Sequence, residues 1–279
     1  MVHSERHTTR GSAGELSYLE WQGPAEAPPI LYLHPVNTAA AVWTAVAERL
    51  DGIRPAFAVD YRAHGGSEAA GPYLPADYAA DALAVLDARG VDKAHVVCGS
   101  IGGAVATELA AASPDRVASI VAFGATLRVG WDEPALDATE HDLRALGVRE
   151  WFVRHGAGIL GPAGRPEAAR ELVELASGGR DGDRDVDTVV EVLRTTFGLA
   201  DSRPAGEAVA RRVARPPARV FVGTHDPTCP VEMAAELAGI LGGDLHTMTD
   251  IGHLPMLEDP VATAAAVAHF HAGLVEGVR

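Results

Sequence analysis

The chain has 279 residues, 47% of them apolar and 22% charged, which suits one large α/β domain or a core domain with an insertion and argues against global disorder. The formal net charge is −15, so neither nucleic acid nor an anionic membrane is an expected partner, because both call for a basic surface. Two cysteines, Cys98 and Cys229, are too few for a disulfide framework, the start MVHSERHTTR lacks the apolar core of a signal peptide, and no membrane-spanning run is present; a reducing cytoplasm is the expected setting.

Residues 15–21, ELSYLEW, alternate apolar and polar as an early antiparallel strand does. PPILYLHP (28–35) is a short apolar run bounded by prolines and predicts a buried strand. AAVWTAVAERLDG (40–52) predicts a helix ending at Gly52, PAFAVDYRAHGGS (55–67) a strand entering a glycine-rich loop, and LPADYAADALAVLDARG (74–90) an amphipathic helix with Gly90 just past its end. AHVVCGS (94–100) and VASIVAFGA (117–125) are further buried strands, separated by a helix, IGGAVATELAAASP. Nearly all-apolar strands alternating with helices predict a mostly parallel sheet of about eight strands with helices on both faces.

After Gly124 the rhythm breaks. Residues 128–213 show successive helical patterns, a solvated loop at 178–185 and no convincing strand, and are expected to form a helical cap; residues 1–127 and 214–279 would form the core. The α/β pattern resumes with a strand at 218–226, a helix at 231–243, a short strand at 244–250 and a last helix at 260–274.

The chemistry-bearing residues fall after strands. Cys98-Gly99-Ser100-Ile101-Gly102 has the small neighbours that a sharp strand-to-helix turn needs to lift a serine off a sheet, although the usual first glycine is Cys98. The plain alternative is a serine capping a helix. Asp226 ends an apolar strand in GTHDPTCP, where an Asp-Pro pair also makes an ordinary turn. His253, one of 12 histidines, follows Gly252 in GHLPMLEDP. The chain order Ser, Asp, His, each after a strand and hence at the end of the sheet where parallel-sheet ligand sites lie, makes the three one candidate set.

With these segments in view, the sequence resembles the α/β-hydrolase superfamily over almost its whole length. LYLHPVN is similar to that family's His-Gly loop, DYRAHGGSE (60–68) to its D-x-R-G-H-G-x-S segment, VVCGSIGG to its nucleophile elbow, and GTHDPTCP and GHLPMLEDP to its acid and histidine loops. GTHDP together with APPILYLHP is loosely similar to the enol-lactonase and esterase branch. The resemblance implies a nucleophilic Ser100, a general base His253, an orienting Asp226, and an oxyanion hole formed by the N–H groups of Val36 and Ile101. Pro35 stands where the family has glycine, which leaves Asn37 as an alternative donor through its side chain; His34 and His64 are expected to order loops. Trp43, Trp131, Trp151 and Phe152 are candidate pocket residues, and Arg128 and Arg154 are candidate partners for a charged substrate.

The implied reaction is cleavage of a small carboxylic ester or lactone through an acyl-enzyme. Carbon–carbon bond hydrolysis, cyanohydrin elimination, peracid formation and a non-catalytic ligand receptor remain as alternatives, because fold and triad do not fix chemistry. No H-E-x-x-H, paired C-x-x-C, dinucleotide fingerprint or phosphate loop occurs, so neither metal nor cofactor is expected, and the oligomeric state is open.

Overall fold

The architecture follows from which strands are apolar throughout. Strands β3 (Ile30–Leu33), β4 (Ala56–Val59) and β5 (Ala94–Gly99) are buried at every residue and lie at the centre of an eight-stranded sheet. The computed structural model describes residues 4–24, 27–50 and 52–276.

The sheet order is β1-β2-β4-β3-β5-β6-β9-β10, with β1 Glu5–Gly11, β2 Gly14–Trp21, β6 Val117–Phe123, β9 Ala218–Gly223 and β10 Asp244–Met248. Only β2 runs against the others in this sheet: it pairs antiparallel with β1 and β4, and every other pairing within the sheet is parallel. The chain places β4 on one side of β3 and β5 on the other. The loops leaving β3 and β5 therefore diverge at a topological switch point, which opens a crevice at the strands' carboxyl ends.

Helices α2 (Pro75–Ala88), α3 (Gly102–Ala112), α9 (Val231–Leu241) and α11 (Pro260–Glu276) connect and cover the sheet. Residues 40–50 do not form the one continuous helix expected from sequence. They make a 3₁₀ turn, a single α turn α1 (Thr44–Ala47) and a second 3₁₀ turn. Trp43 on this segment is fully buried and stacks on Tyr32 with ring centroids 5.2 Å apart, so it belongs to the core and not to a pocket. Strand β1 was not expected, because ERHTTRG is polar on both faces.

Between β6 and β9 the chain forms α4 (Glu133–Leu146), α5 (Val148–His155), α6 (Ala168–Ser177) and α7 (Val186–Leu193), followed by a π-helical turn at 194–199 and α8 (Arg203–Ala210). The stretch expected to be loop contains a minimal antiparallel pair, β7 (Gly178–Gly179) and β8 (Gly182–Asp183). Helix α8 packs on α3 and α9, against the core face of the molecule. No helix among the described residues is long and apolar enough to cross a membrane.

Candidate active site

Ser100 sits on the turn between β5 and α3 with φ of +55°, a left-handed backbone that a non-glycine residue seldom adopts without purpose. Gly102 permits the turn: a Cβ there would lie 3.0 Å from the Leu33 carbonyl oxygen and 3.2 Å from Cys98 Cβ. The same crowding explains why the position of Cys98 needs a small residue. Ser100 does not cap α3. The N-cap is Ile101, with no side-chain capping bond, and the Ser100 hydroxyl instead lies 2.9 Å from His253 Nε2.

His253 Nδ1 lies 3.0 Å from both carboxylate oxygens of Asp226. Asp226 is oriented in turn by the N–H groups of Thr228 and Cys229, which donate to its Oδ1 at 2.9 and 2.8 Å. An Nδ1–H donor to the carboxylate leaves Nε2 as acceptor for the serine hydroxyl. The fold thus joins Ser100, His253 and Asp226, all buried, into one hydrogen-bonded chain. The Cys229 thiol also lies beside Ser100, and burial, reinforced by Asp226, pushes its pKa well up.

The loop after β3 is held from behind. The Pro35 carbonyl accepts from His34 Nδ1 at 2.8 Å, from the Thr38 hydroxyl at 2.6 Å and from the Thr38 N–H at 3.2 Å. In a trans peptide the N–H points opposite to the carbonyl, so these three donors fix the direction of the Val36 N–H. Neither the Val36 nor the Ile101 N–H donates to a protein acceptor among the described residues. His34 Nε2 accepts the Tyr61 N–H and His64 Nε2 the Asn37 N–H, while His64 Nδ1 donates to the Arg62 carbonyl. Burial lowers the pKa of His34 to about 4 and that of His64 well below the usual range, so both hold these loops as neutral rings.

Ser100 and His253 open onto a chamber of about 100 Å³. Asn37, Trp131, Trp151 and Phe152 line it, joined by Leu143, Ile159, Leu172, Val189, Leu193, Phe197 and Leu254. Two edge-to-face pairs build its aromatic wall, Trp131 with Phe197 at 4.8 Å and Trp151 with Phe152 at 4.9 Å. Asn37 has both its backbone N–H and its Oδ1 engaged, the latter by Arg184 at 3.0 Å. Arg128 and Arg154 do not line the chamber; both are exposed, and Arg154 pairs with Glu150 at 2.7 Å. Among the described residues no cluster of three or more His, Cys, Asp or Glu side chains could hold a metal.

Three contributors had no signal of their own in the sequence. Glu258, buried, accepts the N–H groups of Gly252, Leu254 and Gly161 at 2.8, 2.9 and 2.6 Å and so holds the loop that carries His253. Gly124, at φ of +50°, leaves the space in which His253 and Asp226 meet. Arg184 grips Asn37 from the insertion. A glutamate in the histidine segment and a glycine after strand β6 can be seen in the sequence, but nothing there states that they are buried or what they touch.

The sheet with one reversed strand, the turn at Ser100 and the loops at Asp226 and His253 define an α/β hydrolase, and the chain belongs to the alpha/beta hydrolase family, whose model matches residues 30–266. Rhodomycin D methylesterase DnrP of Streptomyces peucetius is 28% identical over 90% of this chain and 93% of its own length. Lipase LipV of Mycobacterium tuberculosis is 36% identical over 37% of this chain and 40% of its own length. The chain spans less than half the length of the first curated relatives it matches. Among solved structures, the enol-lactonase from Burkholderia xenovorans LB400 superposes with a TM-score of 0.79 at 24% identity, covering 95% of this chain and 100% of that one.

Proposed function

We propose that this α/β hydrolase is a serine esterase or lactonase that works through an acyl-enzyme. The observation that carries the reading is the continuous chain Ser100 Oγ–His253 Nε2–Asp226 opening onto an apolar chamber. Ser100 Oγ attacks the substrate carbonyl while His253 Nε2 takes its proton, and Asp226 holds the Nδ1–H tautomer and stabilises the imidazolium. The carbonyl oxygen, now negative, accepts from the Val36 and Ile101 N–H groups. His253 then protonates the leaving oxygen, the alcohol departs, and water repeats the sequence on the acyl-enzyme. Within residues 128–213, the segment up to the π-helical turn at 194–199 acts as the cap over this chamber, while α8 packs on the core helices α3 and α9.

The chamber's chemistry narrows the substrate. Among its described lining residues there is no arginine or lysine, and His155 is the one titratable group besides His253. A carboxylate would enter without a partner, at the cost of desolvating an unpaired charge. An uncharged, partly apolar ester or lactone therefore fits better than the anionic substrate that carbon–carbon hydrolysis of a dienedioate would bring. The methylesterase named among the relatives, matched along most of the chain, supports the ester reading.

The test is labelling with a fluorophosphonate probe and mapping of the modified peptide, beside Ser100→Ala, with turnover of neutral p-nitrophenyl esters. Adduct on Ser100 with ester hydrolysis, both lost in the variant, is expected. A folded protein that takes no label overturns the acyl-enzyme mechanism.

A further inference from the structure

Two buried arginines are treated differently by this fold. Arg62 meets Asp81 through two bonds, Nε at 2.9 Å and a terminal nitrogen at 2.6 Å, so its charge is neutralised where it is buried. Arg184, also buried, has no carboxylate within ion-pair distance among the described residues. One terminal nitrogen donates to Asn37 Oδ1 at 3.0 Å and to the Ala176 carbonyl at 3.4 Å, and its Nε and other terminal nitrogen have no partner among the described residues. The acids beside it in sequence are used elsewhere: Asp185 accepts the Thr188 N–H and caps α7, and Asp183 faces Arg149 at 3.8 Å. A guanidinium with two adjacent acids thus reaches 147 residues back to a neutral amide. Burying a cation against neutral acceptors is costly, so the contact is not explained by stability.

The amide it reaches is the one next to Val36. Asn37 has φ of +56°, and its N–H is held by His64 Nε2 at 3.1 Å. Arg184 holds its side chain. The residue after the Val36 N–H is therefore clamped twice, once from the core and once from the β7–β8 corner of the insertion.

We infer that Arg184 is a positioning residue for the oxyanion loop: by holding Asn37 it steadies the loop whose Val36 N–H is aimed by the donors to the Pro35 carbonyl, and it places a positive charge behind the loop where negative charge develops. The inference rests on the acyl-enzyme reading. It also means that the insertion contributes to the reacting centre as well as to the chamber walls. Charge placed ahead of time in a dry site acts more strongly on a transition state than on a neutral substrate, so kcat is the quantity it moves.

The experiment compares Arg184→Met, Arg184→Lys, Asn37→Gly, which suits the left-handed backbone, and the Arg184→Met/Asn37→Gly double variant, using neutral p-nitrophenyl esters. In Arg184→Met and Asn37→Gly, kcat is expected to fall about 10- to 100-fold with KM within about threefold, and an alkyl trifluoromethyl ketone, which forms an oxyanion adduct on serine, should bind weaker by a similar factor. Because both changes break one interaction, the double variant should be no slower than the slower single, and Arg184→Lys should recover part of the loss. Retention of kcat within about threefold, losses that multiply in the double variant, or unchanged ketone affinity would overturn the inference. If Arg184→Met melts below the assay temperature, Asn37→Gly decides, and wild-type turnover in it overturns the inference. Wild type that takes no fluorophosphonate marks failure of the acyl-enzyme reading; labelled wild type with unaffected variants marks failure of this inference alone.

Discussion

The carboxylate of Glu258 straddles His253: Oε2 accepts the N–H of Gly252 at 2.8 Å and Oε1 that of Leu254 at 2.9 Å. Oε2 also takes the Gly161 N–H at 2.6 Å, which ties the insertion to the histidine loop. Glu258→Gln would turn an amide NH₂ toward a backbone N–H and lose one charge-assisted acceptor. Stability is expected to fall by about 2–3 kcal/mol. Turnover at a temperature where the variant is folded should fall too, because His253 loses its support. Urea melts and ester assays read both, and an unchanged midpoint with unchanged kcat would contradict the role.

Gly124 gives a second check on the same histidine. A Cβ there would lie 2.7 Å from the His253 carbonyl oxygen and 2.9 Å from Asp226 Oδ2, at a φ of +50°. Gly124→Ala must therefore push the pair apart. A displacement on the order of 1 Å costs about 100-fold in rate, so kcat should drop by that order. Wild-type kcat in a folded Gly124→Ala would show that the pair tolerates the shift.

Acid should destabilise the fold through buried neutral histidines. Burial lowers His34 to about 4, His95 to about 4 and His271 to about 3, from an ordinary value of 6.5. The unfolded chain then binds more protons than the native one between pH about 6.5 and about 4. Stability is full above that window and is lost as pH falls through it, by up to about 1.4 kcal/mol per pH unit for each group. Urea midpoints at pH 7.5 and 5.0 test this, and His271→Phe should flatten the slope. Equal midpoints at the two pH values would sink it.

Thiol reagents should spare the native enzyme. Cys98 and Cys229 are fully buried, and burial pushes both thiols up. Iodoacetamide at mildly alkaline pH is expected to leave both unmodified and activity intact, with both alkylated in urea. Intact-mass measurement of the folded protein would refute this by showing an adduct.

The chamber's lining predicts a preference against charge. A p-nitrophenyl ester of a neutral acyl chain should be a better substrate than the hemisuccinate of matched length, by at least about tenfold in kcat/KM. The reverse preference would call for a cation in the site, where the described lining has no arginine or lysine.

How much of this could be read in advance differs by element. Strands β3 to β6 were legible because burial on both faces forces continuous apolar runs. Strand β1 was not, because its pairing with β2, from Glu5 opposite Glu20 to Gly11 opposite Gly14, is made by backbone groups that any sequence has. Likewise Ser100, Asp226 and His253 could be named because each stands after a strand in a recognisable order. Glu258 and Arg184 could not, since their partners are backbone N–H and carbonyl groups and one neutral amide, which leave no complementary residue to find.

By itself the sequence determined the alternation of strand and helix, the interruption after Gly124 and the order of the three residues, since these depend on local periodicity and turn chemistry. Only the tertiary structure decided that Ser100 and His253, 153 residues apart, meet at 2.9 Å. It alone also decided that insertion side chains wall the chamber and that Arg184 reaches the loop after β3. Those outcomes depend on sheet order and on how the insertion packs, and no local pattern encodes the distance between residues that only a closed fold brings together.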